Sequence, residues 1–407
     1  MMEKEIVVLN GARTPMTEWE GGKRGDGKPG GALKDLSAIE LGVIAAKEAL
    51  RRSKVKPEEI DHVVFGHAIQ TWRDSIYGAR HVGLKAGIPK EVPALTVNRI
   101  CGSGLQAVVS GAQMLLLEEA NFVLTGGMEN MSQSPHVIWG ARSGFRLGQG
   151  KLEDSLMVNL MDPFCGFYMA QTAENLAKKY GVRREEQDEY ALRSHMASKK
   201  ATEDFRFKEE IVPVEISLRG EKVLIEKDDH FLPDANLEKL AMLPPTFGKD
   251  GTVTVGNASG IVDGASAVVL TTQKNAEERS LPFLGKILSW GIAGVDPEIM
   301  GIGPVPSIRE AIRRAGLHLD QIDLFEINEA FAAQYLPVEK ELGLDREKVN
   351  VNGGAIGLGH PLGATGTRLL LTLLLELRRR KKRYGVASAC IGGGQGIAVV
   401  VESELAQ

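Results

Sequence analysis

An α/β fold built from a duplicated unit, with a large insertion between the copies, is predicted by three observations. First, Ala49-Leu-Arg-Arg followed by Glu59-Ile-Asp-His-Val-Val-Phe matches Ala311-Ile-Arg-Arg followed by Gln321-Ile-Asp-Leu-Phe-Glu-Ile without a gap, at an offset of 262 residues. Second, Ala94-Leu-Thr-Val-Asn before a glycine-rich turn at Cys101 reads like Lys348-Val-Asn-Val-Asn before a glycine-rich turn at His360. Third, Val123-Leu-Thr-Gly-Gly reads like Ala389-Cys-Ile-Gly-Gly. Each copy thus runs helix, strand, glycine turn, helix, strand, and its reactive residues fall at strand ends, where open α/β sheets place ligands.

Taken in order, the chain enters a strand directly after Met1-Met-Glu-Lys, with no basic or apolar leader pattern. Residues 20–31, rich in glycine and charge, predict a surface loop. Ser37 and Glu40 form a capping-box pattern before a helix over Leu41–Arg52, and Ser307 and Glu310 repeat it before Ala311–Ala315. A helix over Leu105–Leu117 follows the Cys101 turn. The texture then changes to Met, Gln, Pro and charge clusters, with helices expected over Thr172–Tyr180 and Glu185–Lys200. A strand at Thr252–Val255 and the apolar Gly264–Leu270 return the chain to the first core. The expected units are 1–128 plus 252–278, an inserted 129–251, and 279–407.

Composition narrows the function classes. The 407 residues carry a net charge of only −4, which offers no nucleic-acid-binding excess, and three cysteines make no disulfide framework. The longest apolar run, Leu369–Leu375, is too short to span a bilayer. A soluble, cytoplasmic protein without nucleic-acid or membrane partners is expected. No residues have metal-ligand spacing. Gly353–Gly366 misses the dinucleotide-loop spacing, and Arg378–Arg383 suits the negative end of a leucine-rich helix better than a nucleic-acid patch.

What remains is cysteine chemistry. Cys101, His360 and Cys390 each sit among glycines, which let the backbone approach a ligand closely. A thiol and an imidazole suffice for acyl transfer; a second thiol in an open turn suggests a further proton transfer, such as deprotonation of a carbon acid beside a thioester. Backbone N–H groups of Gly392-Gly-Gly can stabilise an oxyanion, and Asn328 adds an amide at a strand end. Alone, Cys101 and Cys390 would read as buried packing residues; Cys165 has no partner pattern and is read as structural. The other histidines lack any recognisable spacing and are expected at the surface or satisfied inside.

With Ala12-Arg-Thr-Pro, Cys101-Gly-Ser-Gly-Leu, Gly126-Gly-Met-Glu-Asn-Met-Ser, Thr172-Ala-Glu-Asn, Gly256-Asn-Ala-Ser-Gly, Asn328-Glu-Ala-Phe, Gly353 through Gly366 and Cys390-Ile-Gly-Gly-Gly-Gln-Gly in place, the chain resembles the thiolase family over nearly its full length. The resemblance implies duplicated α/β core domains in five layers with an inserted loop domain. It implies an acyl-CoA C-acyltransferase, here of the acetyl-CoA acetyltransferase type, interconverting two acetyl-CoA with acetoacetyl-CoA plus CoA by a ping-pong cycle. Cys101 would be the acylated nucleophile, His360 its base, and Cys390 the group that moves the α-proton. The N–H groups of Cys101 and Gly392 would form one oxyanion hole, and His360 with a water held by Asn328 the other. Ser259, Met169, Phe247, Val255, Ala330 and Phe331 would line the pantetheine and acyl tunnel. No cofactor is implied, since coenzyme A thioesters are the substrates, and a homodimer or homotetramer is expected.

Departures from the family pattern concern substrate contacts. Tyr168-Met169-Ala170 stands where acetoacetyl-CoA thiolases usually read His-Met-Gly, and Leu232 and Pro244 stand where relatives carry arginines near the CoA phosphates. Other readings are a 3-ketoacyl-CoA thiolase for longer chains, a ketoacyl synthase-like condensing enzyme, which would usually place His or Asn at Cys390, and a noncatalytic thiolase-like lipid carrier.

Overall fold

The computed structural model describes residues 5–21, 27–248 and 250–404. Its main strands are β1 (Ile6–Arg13), β2 (His62–Gly66), β3 (Ala94–Val97), β4 (Phe122–Glu129), β5 (Val262–Thr272), β6 (Gly285–Gly294), β7 (Leu324–Ile327), β8 (Tyr384–Ile391) and β9 (Gln395–Ser403). The main helices are α1 (Ala38–Ser53), α2 (Gly78–Ala86), α3 (Ser103–Leu116), α4 (Met169–Tyr180), α5 (Arg184–Glu203), α6 (Pro304–Ala315), α7 (Ala332–Leu342) and α8 (Leu362–Arg380).

The strands follow one path, β3-β2-β4-β5-β1-β6-β9-β8-β7. Its two halves have the same internal arrangement and join edge to edge where β1 pairs antiparallel with β6, Ile6 opposite Ile287. Parallel pairs sit at both outer ends, with His62 opposite Val123 in one half and Leu324 opposite Gly385 in the other. Those residues are also 262 apart, so the duplication extends through β4 and β8.

The sequence correspondence of Val123 with Ala389 is therefore corrected by four residues: Val123 matches Gly385, and Cys390 matches Met128. Gly-Gly pairs attracted the sequence match, whereas hydrogen-bond register decides the structural one. The counterpart of β3 shrinks to a single parallel bridge between Phe325 and Val349, so Lys348–Asn352 is not a strand.

Five layers follow from which face each strand residue buries. In β9, Ile397, Val399 and Val401 join the central cluster with Val108 of α3 and Leu370 of α8, while Ala398 and Val400 face α6 and α7 through Ile308, Ile312 and Tyr335. In β4, Val123 faces the same central cluster and Leu124 packs toward Leu41 of α1 and Val82 of α2. Both faces of each half are covered, which is why the strands read as continuous apolar runs. Between the halves, α3 and α8 touch backbone to backbone. A Cβ on Gly104 would lie 2.6 Å from Thr367 N, and one on Gly366 2.2 Å from Leu105 N. That approach draws the Cys101 and His360 turns together.

Local signals were mostly read correctly. Ser37 and Glu40 do form the reciprocal cap of α1. Ser307 does not cap: α6 starts at Pro304, whose fixed φ suits a first helical position, and the Ser307 hydroxyl donates to Gly303 and Pro304 carbonyls inside the helix. Thr252–Val255 is not a strand but a loop, held by the Glu174 carboxylate accepting from the N–H groups of Thr252 and Val253 at 2.6 and 2.7 Å. Of the loop at 20–31, residues 22–26 lie outside the described residues, and Glu20 and Gly30 form an antiparallel bridge.

The inserted segment is fastened to β1 by one buried cation. Arg13, 0 % exposed, donates to both oxygens of Asp228 at 2.7 and 2.8 Å and to Glu210 at 2.7 Å. A guanidinium that deep requires such full pairing, which raises its already high pKa despite burial. The Ala12-Arg-Thr-Pro and Asp228-Asp-His motifs are thus the two sides of one structural clamp.

Candidate active site

Cys101 lies in a short turn, Ile100–Gly102, at the start of α3. It packs among Met131, Leu156 and Leu362, and the backbone N–H groups of Gly392 and of Cys101 itself face its sulfur and favour the thiolate. Burial pushes the thiol up to about 12, outweighing those N–H groups, with the Glu129 charge adding to the rise. The turn is strained. Ile100 has φ +46°, a left-handed value that a β-branched residue rarely adopts. Three side-chain bonds hold it, beside the backbone bonds of the turn: Ile100 N–H to Asn98 Oδ1 at 2.9 Å, Ser103 Oγ to Ile100 O at 2.7 Å, and Arg99 N–H to Ser103 Oγ at 2.8 Å.

His360 precedes α8 and is neutral, pushed down to about 3 by burial and then by the Arg368 charge. Its Nδ1 lies 2.6 Å from Thr365 Oγ1, whose own proton goes to the Pro361 carbonyl at 3.0 Å. With that hydroxyl donating to Pro361, Thr365 accepts from the ring, an assignment that puts the imidazole proton on Nδ1 and a lone pair on Nε2. That nitrogen faces Asn328 Nδ2 at 3.3 Å, while Asn328 Oδ1 is buried without a protein hydrogen bond.

Cys390, near the end of β8, is 0 % exposed and packs against Met300, Ala330, Met169 and Phe331. Burial, then charge on Cys101, raises its thiol well above the ordinary range, so the two sulfurs feel each other. Gly393 and Gly394 turn β8 into β9 with φ of +78° and +80°, leaving the Gly392 N–H aimed at Cys101.

A cavity of about 470 Å³ opens beside this cluster. Met169, Phe247, Val255, Ser259, Phe331 and His360 line it, as do Tyr168, noted from the sequence as a departure at the substrate contacts, and Met131, Met157, Leu160 and Leu362, which sequence reasoning did not place there. Ala330 is not on its wall but packs against Cys390. The two thiols sit just behind the wall, touching lining residues: Met131 and Leu362 for Cys101, Met169 and Phe331 for Cys390. Val255 marks the outer rim, 66 % exposed.

Sequence reading missed Thr365, although a hydroxyl one helical turn into α8 was a readable signal. It also expected the remaining histidines to be exposed or satisfied. His67 and His230 are interior, and neither ring makes a hydrogen bond within the protein; each faces a carboxylate, Glu129 at 3.4 Å and Glu18 at 3.2 Å. Among the described residues no group of His, Cys, Asp and Glu could hold a metal ion, and no helix is long and apolar enough to cross a membrane.

A duplicated five-layer α/β core, with two buried thiols and a neutral imidazole meeting between its halves, defines an acyltransferase of the thiolase fold. Residues 6–274 match the thiolase N-terminal domain and residues 281–403 the thiolase C-terminal domain. The chain is 52 % identical to the mitochondrial 3-ketoacyl-CoA thiolase of Homo sapiens, over 98 % of both chains. It is 46 % identical to the acetyl-CoA acetyltransferase of Cupriavidus necator, over 98 % of this chain and 99 % of that one. The crystal structure of the human mitochondrial enzyme superimposes with a TM-score of 0.95 at 49 % identity, covering 99 % of this chain and all of the other. The chain belongs to the thiolase family.

Proposed function

We propose that this protein is an acetyl-CoA acetyltransferase working through an acyl-Cys101 intermediate. The observation that carries the reading is the setting of His360, with Nδ1 2.6 Å from Thr365 Oγ1 and Nε2 3.3 Å from Asn328, while Gly392 N–H faces the Cys101 sulfur. With the thiol pushed up to about 12 and the imidazole down to about 3, both groups are neutral, so proton transfer from Cys101 to His360 accompanies attack on a thioester. In that step the S–C bond to Cys101 forms, the thioester C–S bond breaks, and the proton on His360 leaves with CoA. Cys390 then passes its thiol proton to the His360 left neutral by CoA departure, its thiolate takes an α-proton from a second acetyl-CoA, and the carbanion displaces Cys101, which recovers its proton from His360, to give acetoacetyl-CoA. Gly392 N–H and the Asn328–His360 pair take the developing oxyanion charge in this scheme. No separate cofactor enters this scheme.

A second reading, thiolysis of longer 3-ketoacyl-CoA, draws on the apolar wall formed by Met131, Met157, Leu160 and Leu362, which gives an acyl chain room beyond acetyl. Thiolysis rates across a series of 3-ketoacyl-CoA lengths decide between them: a peak at four carbons supports the first, a peak further along the second. The cytoplasmic compartment and a homo-oligomeric state belong to this proposal too, since relatives include mitochondrial ones. Fractionation and light scattering test them.

The central test is rapid-quench mass spectrometry with acetyl-CoA. Cys390→Ala is expected to acetylate Cys101 normally while condensation falls about 10³-fold, because only the second half-reaction moves the α-proton. An absent adduct on Cys101 refutes the assignment.

A further inference from the structure

Glu129, the last residue of β4, is 0 % exposed and lines no part of the cavity. Its carboxylate accepts N–H bonds from Ala68 at 3.0 Å, Ile69 at 3.1 Å and Gly363 at 3.0 Å, and His67 Nε2 lies 3.4 Å away. Two of those donors belong to the loop leaving β2, and the third to the first turn of α8, three residues beyond His360. One side chain therefore spans both halves of the duplicated core at its active end.

The loop passes this restraint to the nucleophile. The Ala68 carbonyl accepts from Asn98 Nδ2 at 2.9 Å, and Asn98 Oδ1 accepts from the N–H of Ile100, the strained residue immediately before Cys101. Strain of that kind persists only where surrounding bonds over-determine the backbone. On the α8 side, Gly363 lies between His360 and the Thr365 hydroxyl that sets its tautomer.

We infer that Glu129 is a positioning residue for acyl transfer, its buried carboxylate holding the cysteine-bearing and histidine-bearing turns in one register. The inference rests on the roles proposed above for Cys101 and His360. Burial lifts Glu129 to about 7 in spite of its three donors, which shows what placing a carboxyl there costs. A packing role alone would be filled better by an apolar residue.

Glu129→Gln and Asn98→Ala, separately and together, test this. Asn98 is exposed, so its truncation loosens the Ile100 turn without disturbing the core and remains decisive if Glu129→Gln folds poorly. Expected is a kcat loss of about tenfold or more in Glu129→Gln and about threefold in Asn98→Ala, with KM for acetoacetyl-CoA and CoA within about twofold of wild type. The double variant should match Glu129→Gln, because both break one chain of bonds. The pH midpoint for alkylation of Cys101 by iodoacetamide should fall by about half a unit in Glu129→Gln, where a nearby negative charge is lost, and stay put in Asn98→Ala. Wild-type kcat in Asn98→Ala, multiplying losses in the double variant, or an unmoved alkylation midpoint in a folded Glu129→Gln overturns the inference alone. A wild-type enzyme that forms no acetyl-Cys101 overturns the underlying reading with it.

Discussion

The two halves of the core share one frame but carry different chemistry at equivalent strand ends. In the first half, β2 ends in Gly66 and the position before the end of β4 is Met128; in the second, their counterparts are Asn328 and Cys390. The first half keeps small or inert residues there and contributes Cys101 from its helix start. The second supplies an amide, an imidazole and another thiol. On the roles proposed above, duplication gave two rows of strand ends, one serving as a seat for the nucleophile and the other as its proton-handling partner.

Crossed substitutions at Gly66 and Asn328 would break this comparison if it is wrong. Asn328→Ala should cost about 10²-fold in kcat, the usual loss for an oxyanion-stabilising donor, with a nearly unchanged melting temperature, since its Oδ1 has no protein partner to lose. Equal losses of stability and turnover would place Asn328 in the scaffold instead. Gly66→Ala should act the other way. An added Cβ would lie 2.7 Å from the backbone of Ser103 and push the start of α3 outward, costing about 1–3 kcal/mol in urea unfolding. A fully stable Gly66→Ala would show that the first-half strand end does not seat the nucleophile helix.

His67 sharpens the contrast on the first-half side. Burial holds its imidazole down at about 4, so between pH 6.5 and 4 the unfolded chain binds a proton that the folded chain refuses. That contribution is complete above pH 6.5 and is lost as the pH falls through this window. Glu129, lifted to about 7, and Asp263, lifted to about 6, work in the opposite sense, because the folded state holds their protons more tightly than the unfolded one. The net acid limb therefore mixes signs, and only a difference isolates the histidine. Between pH 7 and 5, His67→Gln should lose about 2 kcal/mol less unfolding free energy than wild type. Parallel curves for the two proteins would mean that His67 takes up its proton in the fold.

Much of this was legible in the sequence, for physical reasons that can be named. The offset of 262 residues was visible because helix faces and inner strands leave strong apolar periodicity, and it located β2, β7 and α1 correctly and α6 in all but its start. Register between β4 and β8 was not legible, since hydrogen-bond pairing has no sequence mark when both strand faces are buried and both ends carry glycines. Cys101, His360 and Cys390 stood out because reactive side chains among glycines are chemically unusual. Arg13 was seen only as part of a motif, and its partners Asp228 and Glu210, about 200 residues away, could not be inferred from local pattern. Thr365 and Glu129 were passed over because a hydroxyl or a carboxyl at a helix start or strand end is ordinary until its neighbours are known.

Thr365 gives the finest test of the proton-handling half. Its hydroxyl accepts from His360 Nδ1 and donates to Pro361, so valine, with the same shape, removes a polar partner and little volume. Without that acceptor the Nδ1 proton loses its fixed place, and a share of the imidazole adopts the other tautomer, in which Nε2 can no longer take the Cys101 proton. kcat should fall about tenfold in both thiolysis and condensation while KM holds, because the cavity wall is untouched. Thr365→Ser, which restores the hydroxyl, should recover most of that loss. If serine and valine behave alike, the methyl packing matters and the tautomer does not, and the second half of the core would have to prepare its base by some other contact.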